Sequence, residues 1–491
     1  MLGLVALTLA VRLIDVNKPF LDLQTWRQAD TAAVARNYFE ESFDFLHPRV
    51  DWRGDTPGYV EMEFPLYNYL IACGYRLIGS PQEWVGHLLS ALFSAATIPL
   101  LYALAFTFYG TASARIAAFV FAVNPLDVFY GRAIMPDAAM LFFSVGAILF
   151  FMRWTEAQRA STFAAAVAFA ALAFLVKVPT LYLGLPLLCL AYQRFGMATF
   201  RQPALWLYAA LTLVPTVLWY HHGFRLFEQT HLTYGIWNRY GYAKWGNLDV
   251  LAQGDFYTLM LTRLWGVVLT PVGFALLIVG ALMKVRERRE LVLHVWLLAL
   301  LVFVLIAAEG NRLHKHYQLP FVPVESIFAG KALGSFLSQG WHIGLMRSPV
   351  LRRISVGVCL AALVVFSYVY AAPLFAVQPF YLAQYEVGRE VDELIPKDAL
   401  LVTGELDDNK DSLYRSQSPI LLYFSHRKGW QLLPEEFTDR NRLRNLVERG
   451  ARYFLLPLQL LYSDDRAIVK MVLVDPAGHE IGSWDKRYPA Q

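Results

Sequence analysis

The chain has 491 residues, of which 57% are hydrophobic and only 17% charged. Soluble domains average about 25% charged residues, so an ordinary soluble domain is excluded. Apolar runs of roughly 18 or more residues recur, the mark of a polytopic membrane protein. The formal charge of +4 fits basic cytoplasmic loops, and no basic stretch interleaved with stacking aromatics points to nucleic acid.

The N-terminal MLGLVALTLAVRLIDV lacks a basic leader and a small-residue cleavage site, so residues 1–16 read as a first transmembrane helix rather than a signal peptide. A loop at 17–85 follows and concentrates charge in Arg27, Asp30, Arg36, Glu40, Glu41, Asp44, Asp51, Arg53, Asp55, Glu61 and Glu63. Inside it, Phe64–Gly79 is apolar but short for a span and contains Asn68, Gly74 and Arg76, so it is expected to lie along the membrane surface. Further spans are expected at 86–108, 113–130, 136–152, 162–177, 179–193, 204–221, 264–283, 291–308, 317–337 and 354–372. The pair at 162–177 and 179–193 is broken at Lys177-Val-Pro179, because proline ends or kinks a helix.

This arrangement puts the densest basic clusters on one side. They are Arg115; Arg153 and Arg159; Arg194 and Arg201; Lys284, Arg286, Arg288 and Arg289; and Arg347, Arg352 and Arg353. By the positive-inside rule that side is cytoplasmic. The loop 17–85, the turn 130–136, the loop 222–263 and everything beyond about 373 then lie on the outer face.

After Pro379 charge becomes frequent, and 380–491 reads as a small soluble α/β domain beside an all-α membrane domain, 1–379. Helical spacing marks Gln384–Leu394 and Arg442–Arg449, Ala399–Thr403 and Ala451–Leu456 read as strands, and Pro419–His426 is a further apolar element. No Gly-rich phosphate loop and no internal repeat occurs. Cys73, Cys189 and Cys359 stand far apart in apolar segments and read as packing residues.

Asp30, in Trp26-Arg-Gln-Ala-Asp30 just after the first span, could take a proton from an attacking hydroxyl. It could equally cap a helix over Thr31–Glu41. Glu61 and Glu63 could hold a divalent metal or an acceptor sugar, or be solvated loop charges. Arg132 and Asp137 flank the turn Tyr130–Asp137 and either pair with each other or line a wet cavity. Arg312, His314, Lys315, His316 and Tyr317 concentrate cations and a phenol at the top of a span, suited to a phosphate at the membrane surface or to lipid head groups. Lys177 joins them by depth. His221, His222 and His231 lack metal-ligand spacing.

In this order the motifs resemble the GT-C glycosyltransferases, and within them glycosyltransferase family 39, with the bacterial protein O-mannosyltransferases and the lipid A aminoarabinose transferase. The likeness rests on Asp30 in the first loop, Glu63-Phe-Pro-Leu-Tyr67, Arg132…Met135-Pro136-Asp137, and His316-Tyr317-Gln-Leu-Pro320, and covers most of 1–335. It implies a GT-C fold of about 11–13 transmembrane helices with a C-terminal extracytoplasmic domain. It also implies an inverting transfer from a polyprenyl-phosphate sugar to a lipid, glycan or protein acceptor, on the outer face of a bacterial inner membrane. By the resemblance, Asp30 is the catalytic or acceptor-activating residue. Lys315, His316 and Tyr317 become contacts to the donor phosphate; Arg132, Lys177 and Arg312 stand beside them as phosphate-binding candidates by residue type and position alone. Asp137 is a structural residue of the site. A divalent metal could share the work on the phosphate. Two departures stand out: Thr31 follows Asp30 where the mannosyltransferases carry an Asp-Glu pair, and Glu63-Phe stands where the aminoarabinose branch has Lys-Pro, which leaves the donor sugar open. A polysaccharide polymerase or ligase, and a lipid-linked sugar flippase, are the alternative classes.

Overall fold

The computed structural model describes residues 1–237, 244–339, 348–404, 418–463 and 466–488. Arg347 and the part of the loop 222–263 at 238–243 lie outside the described residues. The first helices are α1 (Leu2–Arg12), α2 (Thr25–Glu40), α3 (Leu66–Ile78), α4 (Glu83–Ala122), α5 (Pro125–Tyr130) and α6 (Asp137–Ala157). Next come α7 (Ala160–Val176), α8 (Gly184–Phe195), α9 (Pro203–Thr230), α10 (Leu248–Leu251), α11 (Gly254–Arg263), α12 (Thr270–Leu282) and α13 (Leu291–Ile306). The chain continues with α14 (Ala308–Leu313), α15 (Phe321–Gln339), α16 (Pro349–Ala371), α17 (Pro379–Leu394), α18 (Ile420–Phe424) and α19 (Arg440–Glu448). Five strands, β1 (Leu400–Gly404), β2 (Lys428–Leu432), β3 (Ala451–Ser463), β4 (Arg466–Val474) and β5 (Glu480–Tyr488), make one sheet.

All eleven expected spans fall on helix, yet only five described helical stretches are long and apolar enough to cross a membrane unaided, or six if one bent pair counts as a span. Backbone breaks account for the difference. Gly110, at φ 77, interrupts α4. Extended Lys177 and the 3-10 turn Val178–Leu183 separate α7 from α8, and the helices on either side of Leu269 bend by 105°. The short apolar segment α3 has 13 residues, about 20 Å of helix against a hydrocarbon core of about 30 Å.

The chain packs as two compact units. The first comprises Met1–Val16, Gly86–His221 and Ile236–Leu374, the second Asn17–Val85, His222–Gly235 and Phe375–Gln491. The first loop thus belongs with the C-terminal segment, where the sequence suggests a division at 379/380.

The helical unit is held by apolar packing around Ile116, Val120, Ala329, Leu333 and Val356, and by buried ion pairs. Arg12 of α1 reaches Asp127 of α5 at 2.5 Å and also donates to the carbonyls of Ala122 and Thr8. Ser94 donates to the same carboxylate at 2.8 Å. Lys331 of α15 reaches Glu290 at 2.5 Å and the Met283 carbonyl at 3.0 Å. Charges at such depth are tolerated only when paired in this way.

In the second unit the strand order is β2-β1-β3-β4-β5. β1 runs parallel to β2 and β3, and β3, β4 and β5 are antiparallel. The crossover from β1 to β2 passes through α18, and that from β2 to β3 through α19, so the α/β expectation for this region holds, with β2, β4 and β5 additional to it. Ala383, Val387 and Val391 of α17 pack on Leu401, Met471, Leu473 and Trp484, and this core continues into the first loop through Val34, Tyr38, Val50, Trp52, Val60 and Met62. A smaller cluster brings Leu446 of α19 against Val402, Leu432 and Phe454.

Candidate functional site

In the second unit, α2 begins at Thr25, whose hydroxyl donates to the carbonyls of Phe20 and Asp22. Asp30 therefore lies in the second turn, and the reading of it as the cap of a helix over Thr31–Glu41 is corrected. Residues three apart share a helix face, which sets Arg27 beside Asp30. The Trp52 indole N–H donates to Asp30 Oδ1 at 2.9 Å, and the Tyr234 hydroxyl donates to the Asp30 carbonyl at 3.2 Å. Tyr234 is delivered by a short backbone zipper: Glu61 N–H donates to the Leu232 carbonyl at 3.0 Å, and Tyr234 N–H to the Glu61 carbonyl at 2.9 Å. The Arg27 guanidinium sits 4.4 Å from the Tyr234 ring centre and pairs with Glu63.

Asp30 is only 5% exposed. Burial raises its carboxyl to about 7, against the opposing pull of the Arg27 charge and the Trp52 hydrogen bond, with Asp51 and Glu63 adding to the rise. Burial works against the Arg27 charge, but Glu63 holds that guanidinium protonated well above its ordinary range. A carboxyl poised near neutrality beside a fixed cation is suited to general-base work.

Glu61 and Glu63 are buried, so the reading of both as solvated loop charges is corrected. Glu61 accepts from the Thr233 hydroxyl at 2.7 Å and Glu63 is taken up by Arg27. Among the described residues, no group of three or more His, Cys, Asp or Glu side chains is placed to hold a metal ion. His222 meets the Leu46 carbonyl at 2.8 Å.

In the helical unit, Asp137 opens α6 and is joined by Lys177 at 3.3 Å. Arg132 donates to the carbonyls of Ile14 and Asp15 at 2.9 and 3.3 Å, and its own carbonyl meets His87 Nδ1 at 2.7 Å. Arg132 therefore ties the end of α1 to the turn after α5. Arg312 forks onto Glu309 with two contacts of 2.6 Å. The remaining residues of the late motif form a ring stack. His314, His316 and Tyr317 lie 5.1–5.7 Å apart centre to centre, and His316 is 5.7 Å from Tyr130. Lys244 approaches the Tyr317 ring at 5.8 Å. Arg263 caps α14 by donating to the carbonyls of Asn311 and Arg312 at 2.7 and 3.0 Å. Burial, and after it the Arg263 charge, push the Lys315 ammonium below its ordinary range.

Trp52, Tyr234, Arg263 and Lys244 escape sequence reasoning. Trp52 and Tyr234 stand 22 and 204 residues from Asp30, beyond any local pattern. Arg263 had one available signal, a basic residue at the head of an expected span.

Residues 56–221 match the family model described as dolichyl-phosphate-mannose-protein mannosyltransferase. YkcB of Bacillus subtilis (strain 168), a protein named as a mannosyltransferase, is 28% identical over 193 residues, 38% of this chain and 25% of that relative's length. The chain therefore spans about a quarter of the curated relative it matches. Among solved structures, ArnT from Cupriavidus metallidurans bound to undecaprenyl phosphate superposes with a TM-score of 0.62 at 14% identity, covering 95% of this chain and 97% of that one. The apo form of the same protein gives 0.59 at 16% identity, over 88% and 85% of the two chains. The arabinofuranosyltransferase AftD from Mycobacteria gives 0.53 at 15%, covering 93% of this chain and 36% of that one. The resemblance to GT-C family 39 read from the motifs is borne out, and the fold is a multi-pass helical membrane domain with a small C-terminal sheet.

Proposed function

Taking the GT-C glycosyltransferase fold as premise, we propose that the chain transfers a sugar from a polyprenyl-phosphate-linked donor to a hydroxyl of an envelope glycan, lipid or protein, with inversion, at the outer face of the membrane. The Asp30 carboxylate takes the proton of the acceptor hydroxyl as its oxygen bonds to the anomeric carbon. The bond from that carbon to the phosphate oxygen breaks, and its electron pair leaves with the phosphate. Lys315, with Arg263 and Tyr317, meets the phosphate charge. Trp52 and Arg27 hold Asp30 in position and keep part of it ionised near neutral pH. The solved relative bound to undecaprenyl phosphate supports this donor class, and the curated relative named as a mannosyltransferase supports glycosyl transfer.

One observation carries the reading. Asp30 is a nearly buried carboxyl, raised to about 7, on a charged first loop in a chain that is otherwise predominantly apolar. The test is transfer by purified protein in nanodiscs, given a panel of radiolabelled undecaprenyl-monophosphate sugars and an envelope extract. Wild type should label an acceptor from one donor and Asp30→Asn should not. Near-normal turnover by Asp30→Asn would remove Asp30 from this role, and labelled lipid crossing the bilayer without transfer would indicate a flippase.

A further inference from the structure

We propose that Lys428, at the start of β2, is a positioning residue for Asp30 that acts through Asp51 and Trp52. The proposal rests on the reading of Asp30 as the base and goes beyond it by giving the C-terminal sheet a part in the reaction.

The contacts form a continuous path within the second unit. Lys428 Nζ reaches Asp51 Oδ1 at 2.5 Å and the Asn37 side-chain oxygen. Arg36 Nη2 reaches Asp51 Oδ2 at 2.5 Å, its Nη1 donates to the Tyr423 carbonyl at 2.9 Å, and Asn37 Nδ2 donates to Asp51 Oδ1 at 3.0 Å. Asp51 is fully buried. The backbone on either side of Trp52 is fixed to the edge of β2: Gly429 N–H donates to the Asp51 carbonyl at 3.1 Å, and Gly54 N–H to the Gly429 carbonyl at 2.6 Å. Gly54 has φ +60, and a Cβ there would fall 2.2 Å from the Trp430 indole nitrogen, so the loop lies close against the Trp430 ring. Between the two anchored residues Trp52 points its N–H at Asp30. A strand edge that grips Asp51 and Gly54 thereby fixes the donor on which the Asp30 carboxylate depends.

Charge gives the same path a second effect. Burial alone would raise the Asp51 carboxyl, but Lys428 and Arg36 reverse this and hold it ionised below its ordinary range. That anion raises Asp30, so the cations on Asp51 set how much of its field Asp30 feels. The other groups acting on Asp30 are Arg27 on α2, Glu63 in the loop and Tyr234. Lys428 additionally stands 3.7 Å from Glu41.

The test needs no substrate. The chain carries 13 tryptophans. In full-length protein labelled with 5-fluorotryptophan, the Trp52 fluorine resonance, assigned by its loss in Trp52→Phe, reports ionisation of the carboxylate it donates to. The resonance should titrate near 7 in the wild type and stop doing so in Asp30→Asn. Lys428→Gln should raise the midpoint by about half a unit or more, and Asp51→Asn should lower it by a similar amount, because a near cation lowers a carboxyl and a near anion raises it. Lys428→Arg should restore the wild-type midpoint. Either of the first two variants decides the matter if the other fails to fold. A folded variant with the wild-type midpoint and an unmoved Trp52 resonance overturns the proposal. Transfer that persists in Asp30→Asn would overturn the base assignment while leaving these titrations as they are, so the two failures are distinguishable.

Discussion

Trp52→Phe keeps the ring and removes one hydrogen bond, the 2.9 Å contact to Asp30 Oδ1. A hydrogen bond to a charged group contributes about 1.5–3 kcal/mol, and one pKa unit corresponds to about 1.36 kcal/mol. Losing the donor should therefore raise Asp30 from about 7 by about 1–2 units. At about pH 7 the ionised fraction falls from roughly half to roughly 1–10%, so kcat/KM should drop about 5–50-fold there and recover toward about pH 9. The assay is the pH dependence of kcat/KM, from about pH 5.5 to 9.5, with the donor that the panel identifies. A uniform loss at every pH with an unmoved midpoint would refute the reasoning, since it would mean that Trp52 supports the fold without tuning the carboxylate.

Asp30→Asn should stabilise the protein while abolishing transfer. A carboxyl raised from 3.8 to about 7 on folding binds more protons folded than unfolded between those values, so stability falls as pH rises through that window and stays low above it. Thermal unfolding should show the variant more stable than wild type by on the order of 2–4 kcal/mol at about pH 8, with the advantage gone at about pH 4. Glu63→Gln removes the anion that Arg27 holds and that raises Asp30, so the acidic limb of the pH–rate profile should move to lower pH, opposite to Trp52→Phe. Lys315→Ala should raise the donor KM about tenfold and lower kcat as well, and a donor KM equal to wild type would move the phosphate contact elsewhere.

The helical elements were legible because their apolar runs are longer than any soluble domain tolerates, and the break at Lys177-Val-Pro179 was legible because proline cannot continue the ladder. Asp30 was legible as a candidate from its place in the first loop, but not its position within α2. An Asp ahead of Thr-Ala-Ala-Val looks like a cap, whereas the helix begins at Thr25 through contacts to Phe20 and Asp22. The surroundings of Asp30 were not legible at all. Trp52 belongs to a loop fixed by β2, and Tyr234 to a segment zipped onto Glu61, so both depend on tertiary pairing. Arg312 looked available as a cation, yet Glu309 one turn earlier takes it. β5 left almost no trace, because only Trp484 of its nine residues is buried and alternation has nothing to register on an exposed edge.

The buried pair between Arg12 and Asp127 has a consequence for biosynthesis. The two residues are separated by 115 positions, so α1 leaves the ribosome long before its counter-ion exists. At about 5–20 residues per second the wait is roughly 6–23 s. During that time a bare guanidinium on the apolar helix α1 is poorly accommodated by lipid, so stable insertion of α1 is deferred until α5 has been made. A helix translated well before α5 is then among the later ones to settle. Asp127→Asn should appear as chains whose α1 segment is extracted or degraded during synthesis, before any effect on the mature protein is measurable.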